Sequence, residues 1–185
     1  MKISLLEASF KEIRSNAADF SHSFYSRLFR HSPELEPLFA DTDQQAQEKK
    51  LIFSLAAIVE NIRNGSVLEP ALKSLGARHF QVGTLEAHYP LVGQALLETF
   101  ADYLKDDWTD ELAAAWGEAY GAIAKIMLDG ANQPEKYLEP ELTFYEWIDL
   151  YGEESPQLKE SIAALTDFRY GKRPSPAETE DASLS

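Results

Sequence analysis

From Ile3 to about Gly130 the apolar residues recur at helical spacing, with neither alternating strand runs nor an Asn-Gly or Asp-Gly turn joining two of them. A helix with one apolar face must bury it against another helix, so this stretch predicts an all-α body of about seven to eight helices. Ser32-Pro33 and Glu36-Pro37 punctuate a short helical piece, Asp41-Thr42-Asp43 offers capping oxygens to the next helix, and Asn64-Gly65 stops that helix. Helices are then expected from about Leu68 to Val82, from about Tyr89 to Leu104 with Pro90 in its first turn, and from about Thr109 to Leu128, ending at Gly130.

A length of 185 residues suits one domain with an appendage. We place the body at residues 1–131 and a C-terminal extension at 132–170. Pro134 and Pro140 interrupt a polar stretch there, and two short amphipathic helices are expected at about 141–151 and 156–168. Residues 132–185 carry 12 acidic and 5 basic side chains. Phe144, Trp147, Ile148 and Tyr151 form an apolar face that should bury on the chain's own body, or else on a second subunit or a partner. The last segment, 171–185, holds one leucine among Pro, Ser, Glu and Asp, too little to offset the entropy of ordering it, so a disordered tail is expected.

With 17 Lys+Arg against 31 Asp+Glu the net charge is −14, and no basic cluster relieves it. Nucleic acid and anionic membrane surfaces are therefore set aside as partners, because phosphate neutralisation needs Lys and Arg. The absence of cysteine excludes disulfide scaffolds, thiolate zinc sites, iron–sulfur clusters, thiol nucleophiles and thioether-linked haem or bilin. The opening MKISLLEASFKEIRS breaks its apolar run at Glu7, too early for a signal peptide, and no stretch approaches a membrane span. A cytoplasmic location is expected.

Of the four histidines, His79 alone sits on an apolar stripe. Leu68, Leu72, Leu75, His79 and Val82 are spaced 4, 3, 4 and 3, a line of hydrocarbon with one imidazole in it. Spacing leaves two roles open: a hydrogen-bonded core histidine, or a neutral-nitrogen metal ligand in a dry pocket. A second stripe, Gln47, Leu51, Leu55, Ile58 and Ile62, likewise carries one polar residue. With Phe39 and Tyr25 these stripes outline an apolar pocket holding few polar groups. His88 lies off the Leu72-Leu75 stripe and is expected to be a capping or solvated loop residue, and His22 and His31 to be solvated.

Several longer strings follow one another along the chain. They are Phe24-Tyr25 with Leu28-Phe29, Ser32-Pro33-Glu34-Leu35, Pro37-Leu38-Phe39, Gln47 with Lys50-Leu51, and Arg78-His79. His88-Tyr89-Pro90-Leu91-Val92-Gly93 with Leu96-Leu97 follows, then Ala115-Trp116-Gly117 with Ala119-Tyr120-Gly121. In order and spacing they resemble the bacterial globins, above all the globin domain of flavohaemoglobins and their single-domain relatives. The resemblance covers about residues 1–130.

That resemblance implies a globin fold around a haem, with His79 as the proximal iron ligand and Phe39 wedged against the cofactor. Tyr25 and Gln47 become the distal polar pair and Leu51 the apolar residue beside the sixth coordination position. Leu75 and Val92 join the cofactor lining, Lys50 and Arg78 become candidates for the haem propionates, and Tyr89 places its hydroxyl near the proximal imidazole. Flavohaemoglobins complete that proximal group with a glutamate, but the corresponding position here is Ala131, which implies a weaker push on the histidine. Without a Cys-x-x-Cys-His motif the haem expected is non-covalent and b-type.

Implied functions are reversible binding of dioxygen, carbon monoxide and nitric oxide, as in an oxygen-transporting haemoglobin. The alternatives are nitric oxide dioxygenation fed by a separate reductase, since too few residues follow the body for flavin and nicotinamide domains, or haem-based gas sensing.

Overall fold

The computed structural model describes residues 2–138, and among them every regular element is helical. The elements are α1 (Ile3–Arg14), α2 (Ala17–His31), a 3-10 helix (Pro33–Phe39), α3 (Gln44–Asn61), α4 (Gly65–Gln81), α5 (His88–Leu104), a 3-10 turn (Lys105–Asp107), α6 (Asp110–Ala131) and α7 (Pro134–Tyr137). The amphipathic helices expected at 141–151 and 156–168, and the tail from Gly171, lie outside the described residues.

Local chemistry accounts for most boundaries. Asp43 caps α3 by accepting from the Ala46 amide at 2.7 Å, and Thr109 caps α6 by accepting from the Leu112 amide at 3.2 Å. Asn64-Gly65 stops α3 as expected and also opens α4, which therefore begins at Gly65 rather than Leu68. At its other end α4 stops at Gln81, because Gly83 turns the chain with φ +89° and the Thr84 amide bonds to the His79 carbonyl at 2.9 Å. Val82 consequently leaves the apolar stripe and is 61% exposed, so that the stripe ends on His79.

Helix α1 buries Leu6, Phe10 and Ile13, and α2 buries Phe20, Phe24 and Leu28, each at spacings of three or four. Beneath them Phe100 of α5 stacks on Trp116 of α6 at 4.1 Å between ring centroids. The Trp116 indole N–H donates to Ser9 Oγ at 3.0 Å and that hydroxyl donates to the Leu5 carbonyl at 2.8 Å, so a buried polar pair ties α1 to α6.

The most intimate packing is between α4 and α6, and it depends on two missing side chains. A Cβ on Gly76 would stand 1.8 Å from the Met127 carbonyl oxygen, and one on Gly130 would stand 1.9 Å from the Lys73 carbonyl oxygen. Backbone therefore lies on backbone, and the C-terminal turn of α4, which carries His79, is held at a fixed height above α6. The short α7 packs against both, with Lys73 Nζ 5.9 Å from the Tyr137 ring centroid.

Gly76→Ala should overpack this crossing and cost about 3 kcal/mol in denaturant titration, near the upper end of such insertions. A Cβ on Gly117 of α6 would meet no atom within 4 Å, so Gly117→Ala should instead stabilise by about 0.5–1 kcal/mol.

Candidate haem and gas site

Between α2, α3, α4, α5 and α6 lies a cleft of two lobes, holding about 1070 Å³ of empty space in the larger, counted with its open mouth, and about 560 Å³ in the smaller. Both lobes are lined by Tyr25, Gln47, Leu51, His79, His88 and Val92. Leu75, Lys50 and Tyr89 line the larger lobe and Phe39 the smaller. Arg78 is in neither lining; its half-buried side chain keeps Nε out of solvent with no hydrogen-bond partner among the described residues. The rest of the wall is largely hydrocarbon, supplied by residues such as Leu55, Ile58, Leu96, Ile123 and Met127.

His79 stands one turn beyond Leu75 and its Nδ1 lies 2.8 Å from the Leu75 carbonyl oxygen. A carbonyl only accepts, so Nδ1 carries the proton. Burial holds the imidazole below its ordinary pKa, against the opposing pull of that hydrogen bond, so the ring is neutral and its Nε2 presents a lone pair. This is the tautomer a metal ligand needs. His88 has the opposite arrangement: its Nδ1 accepts the Leu85 amide at 3.1 Å, which leaves the proton of the neutral ring on Nε2. Two histidines line one cleft, and their backbone partners make one a lone-pair donor and the other a proton donor.

Tyr25 is buried within an aromatic cluster, its ring 4.9 Å from Phe24, 5.9 Å from Phe29 and 5.6 Å from Phe39. Packing on three sides fixes the ring, and its hydroxyl reaches across the cleft to the Gln47 carbonyl at a long 3.4 Å. A bond that long is easily exchanged for a better acceptor.

On the other wall, Tyr89 is buried and its hydroxyl has no partner among the described residues; burial pushes its pKa up to about 12, so it stays a neutral phenol. Ala131 is the last residue of α6 and brings no acceptor. Tyr120, whose pKa burial also raises, donates to the Tyr89 carbonyl at 2.6 Å. It reaches there because Gly93 leaves room: a Cβ on Gly93 would stand 2.5 Å from the Tyr120 ring.

The other two histidines lie away from the cleft. His22 is exposed, yet its Nδ1 is 3.0 Å from the buried Glu48 carboxylate, a pairing between α2 and α3 that periodicity did not signal. His31 lies 3.6 Å from Glu98. Sequence reasoning also missed Ser54, Thr84 and His88 as lining residues. Ser54 lies three residues beyond Leu51, beside the second stripe, which was the available signal; Thr84 and His88 reach the cleft only through the turn after α4.

Among the described residues the protein is a helical bundle built around an apolar cleft, with one imidazole lone pair on the cleft wall. Residues 22–127 match the Globin family profile, and the chain belongs to that family. It is 32% identical over 126 residues to a flavohemoprotein of Bordetella parapertussis, which covers 67% of this chain and 31% of that protein. It is 32% identical over 141 residues to leghemoglobin-1 of Lupinus luteus, covering 69% of this chain and 91% of that one. The chain thus spans about a third of the length of the flavohemoproteins it matches. Among solved structures, a bacterial globin from Campylobacter jejuni superposes with a TM-score of 0.64 at 26% identity, covering 72% of this chain and 96% of that one. An engineered carbene transferase derived from a candidate nitric oxide dioxygenase of Rhodothermus marinus gives 0.66 at 29% identity, covering 75% and 96%. Membership of the globin family implies a haem cofactor.

The two tyrosines should respond differently to loss of the hydroxyl. In the cofactor-free protein Tyr89→Phe removes an unpaired buried group and should leave stability unchanged or raise it. Tyr120→Phe leaves the Tyr89 carbonyl without its donor and should cost about 1 kcal/mol. Urea denaturation of both variants reads the contrast.

Proposed function

We propose that this chain is a haem-binding globin that reversibly binds dioxygen and other diatomic gases, with a non-covalent b-type haem held by His79. The observation that carries it is the hydrogen bond from His79 Nδ1 to the Leu75 carbonyl, which leaves Nε2 as a free lone pair on a ring lining both lobes. Among the described residues no three His, Cys, Asp or Glu side chains gather to hold a bare ion. A single imidazole beside a large apolar cleft suits a metal that brings its other ligands in a flat, greasy macrocycle. The absence of cysteine leaves non-covalent attachment.

When bound, haem supplies a ferrous iron with one open position for a small gas. The chain does the rest. Leu51, Val92 and Phe39 exclude water and pack the cofactor, while Lys50 adds a positive charge to the lining. Tyr25 offers the distal donor: its ring is fixed by packing, and its hydroxyl can trade a long bond to Gln47 for a polarised ligand. Gln47 lines both lobes and supplies the second polar group of that pair. On the proximal side the imidazole donates to a neutral carbonyl, and the Tyr89 hydroxyl has no carboxylate partner among the described residues, so from these residues little negative charge is pushed toward the ligand. That supports reversible binding over peroxidase-like activation.

A second reading, nitric oxide dioxygenation with a separate reductase, draws support from the likeness to flavohemoproteins. NADH-dependent nitric oxide consumption, measured with and without added reductase, separates the two.

Purified protein mixed with hemin should give ferric, deoxy-ferrous and oxygenated absorption spectra of a histidine-ligated haem, and His79→Leu should abolish uptake. Tyr25→Phe should speed dioxygen release roughly 10- to 100-fold, since a charge-assisted bond is worth about 1.5–3 kcal/mol. A stopped-flow off-rate unchanged by that substitution removes Tyr25 from the role.

A further inference from the structure

The first two turns of α3 carry Gln47 to the cleft, yet they have little apolar hold on the body. Every residue from Asp41 to Ala46 is exposed, and the first buried hydrocarbon side chain of the helix is Ile52. Between them one side chain is buried, and it is a carboxylate: Glu48 is 5% exposed. A helix end with so few apolar contacts opens at low cost, so the partners of that carboxylate decide how firmly it is held.

Glu48 Oε1 lies 3.0 Å from His22 Nδ1 on α2 and 3.3 Å from Gln44 Nε2, one turn back on its own helix. A carboxylate only accepts, so both nitrogens donate to it. Of the two bonds, the one from His22 crosses between helices. Three residues along α2, Tyr25 makes another crossing, from its hydroxyl to the Gln47 carbonyl at 3.4 Å. The two crossings leave α2 one turn apart and land on adjacent residues of α3, but they are not equivalent. Tyr25 lines the cleft and must give up its bond to meet a bound gas, whereas His22 and Glu48 are in the lining of neither lobe and can stay joined.

We propose that His22 and Glu48 are a positioning pair for the distal wall: they hold the start of α3, and with it Gln47, in register with Tyr25 while the Tyr25 hydroxyl turns from the Gln47 carbonyl to the gas. This rests on the haem reading above. The pair touches neither cofactor nor gas and acts only through Gln47. Its consequence is selectivity, because a polarised ligand such as dioxygen gains from the distal polar groups far more than carbon monoxide does. Burial suits the role: if α3 shifts, the carboxylate loses its donor and keeps the cost of its desolvation.

The test uses the full-length chain, loaded with hemin and reduced, and follows release of dioxygen and of carbon monoxide by stopped flow. His22→Leu, at a side chain 65% exposed, should speed dioxygen release about fivefold, the loss of one neutral hydrogen bond, and change carbon monoxide release by less than about twofold. His22→Asn, which returns an N–H donor near the place of Nδ1, should recover most of the dioxygen effect. In a Gln47→Ala background His22→Leu should add nothing, because the residue it acts through is gone. Equal acceleration of both gases, or the same acceleration with and without Gln47, would make the pair ordinary packing and overturn the proposal, as would no acceleration of either gas. Hydrogen exchange on the hemin-free chain gives a second readout: His22→Leu should raise exchange over residues 44–50 and leave α5 unchanged, and unaltered exchange at 44–50 overturns the pair as well. Protein that takes up no hemin defeats the haem reading and with it the gas role; normal uptake with an unresponsive residue 22 defeats only the positioning pair.

Discussion

The backbone crossing of α4 on α6 is the constraint on which the site depends. Glycine at 76 and 130 lets each helix rest on a carbonyl of the other, closer than any side chain permits. Interiors pack densely, so a displaced α4 would have to be refilled around its whole length. Because α4 ends two residues after His79, the height of that crossing also sets the imidazole's position over the cleft. The bond to Leu75 is internal to the helix and sets only the ring's rotation and tautomer. Position comes from packing, and chemistry from the turn.

The two histidines on the cleft show how backbone partners divide labour between identical side chains. One faces a carbonyl and becomes a lone-pair donor; the other faces an amide and becomes a proton donor. Neither needs a charged neighbour for this. The His79 ring therefore stays neutral against the hydrocarbon wall, where desolvation of an ionised imidazole would be costly. Tyr25 follows the same economy, its ring fixed by aromatic neighbours and its hydroxyl parked on a carbonyl it can leave.

Most of the fold was legible from periodicity and capping. Asp43 and Thr109 cap the helices they precede, Asn64-Gly65 ends α3, and the stripes of α3 and α4 face the same cleft. Tyr25, Phe39, Gln47, Leu51, Leu75, His79, Tyr89 and Val92 all line it. Val82 illustrates the limit of such reasoning. Its spacing extended the α4 stripe, but a glycine in the left-handed region ended the helix first and left it in solvent. Arg78, adjacent to His79 in the chain, lies on a different helix face and is not in the lining.

What the sequence determined by itself was the list of helices and the apolar stripe carrying one imidazole, because periodicity, caps and helix breakers act over a few residues and are written locally. What only the tertiary structure decided was which nitrogen of each histidine carries the proton, that His88 shares the cleft with His79, and how closely α4 approaches α6. Those depend on which backbone atoms meet once the helices have packed and the turn between α4 and α5 has closed, and no local pattern of side chains encodes that meeting.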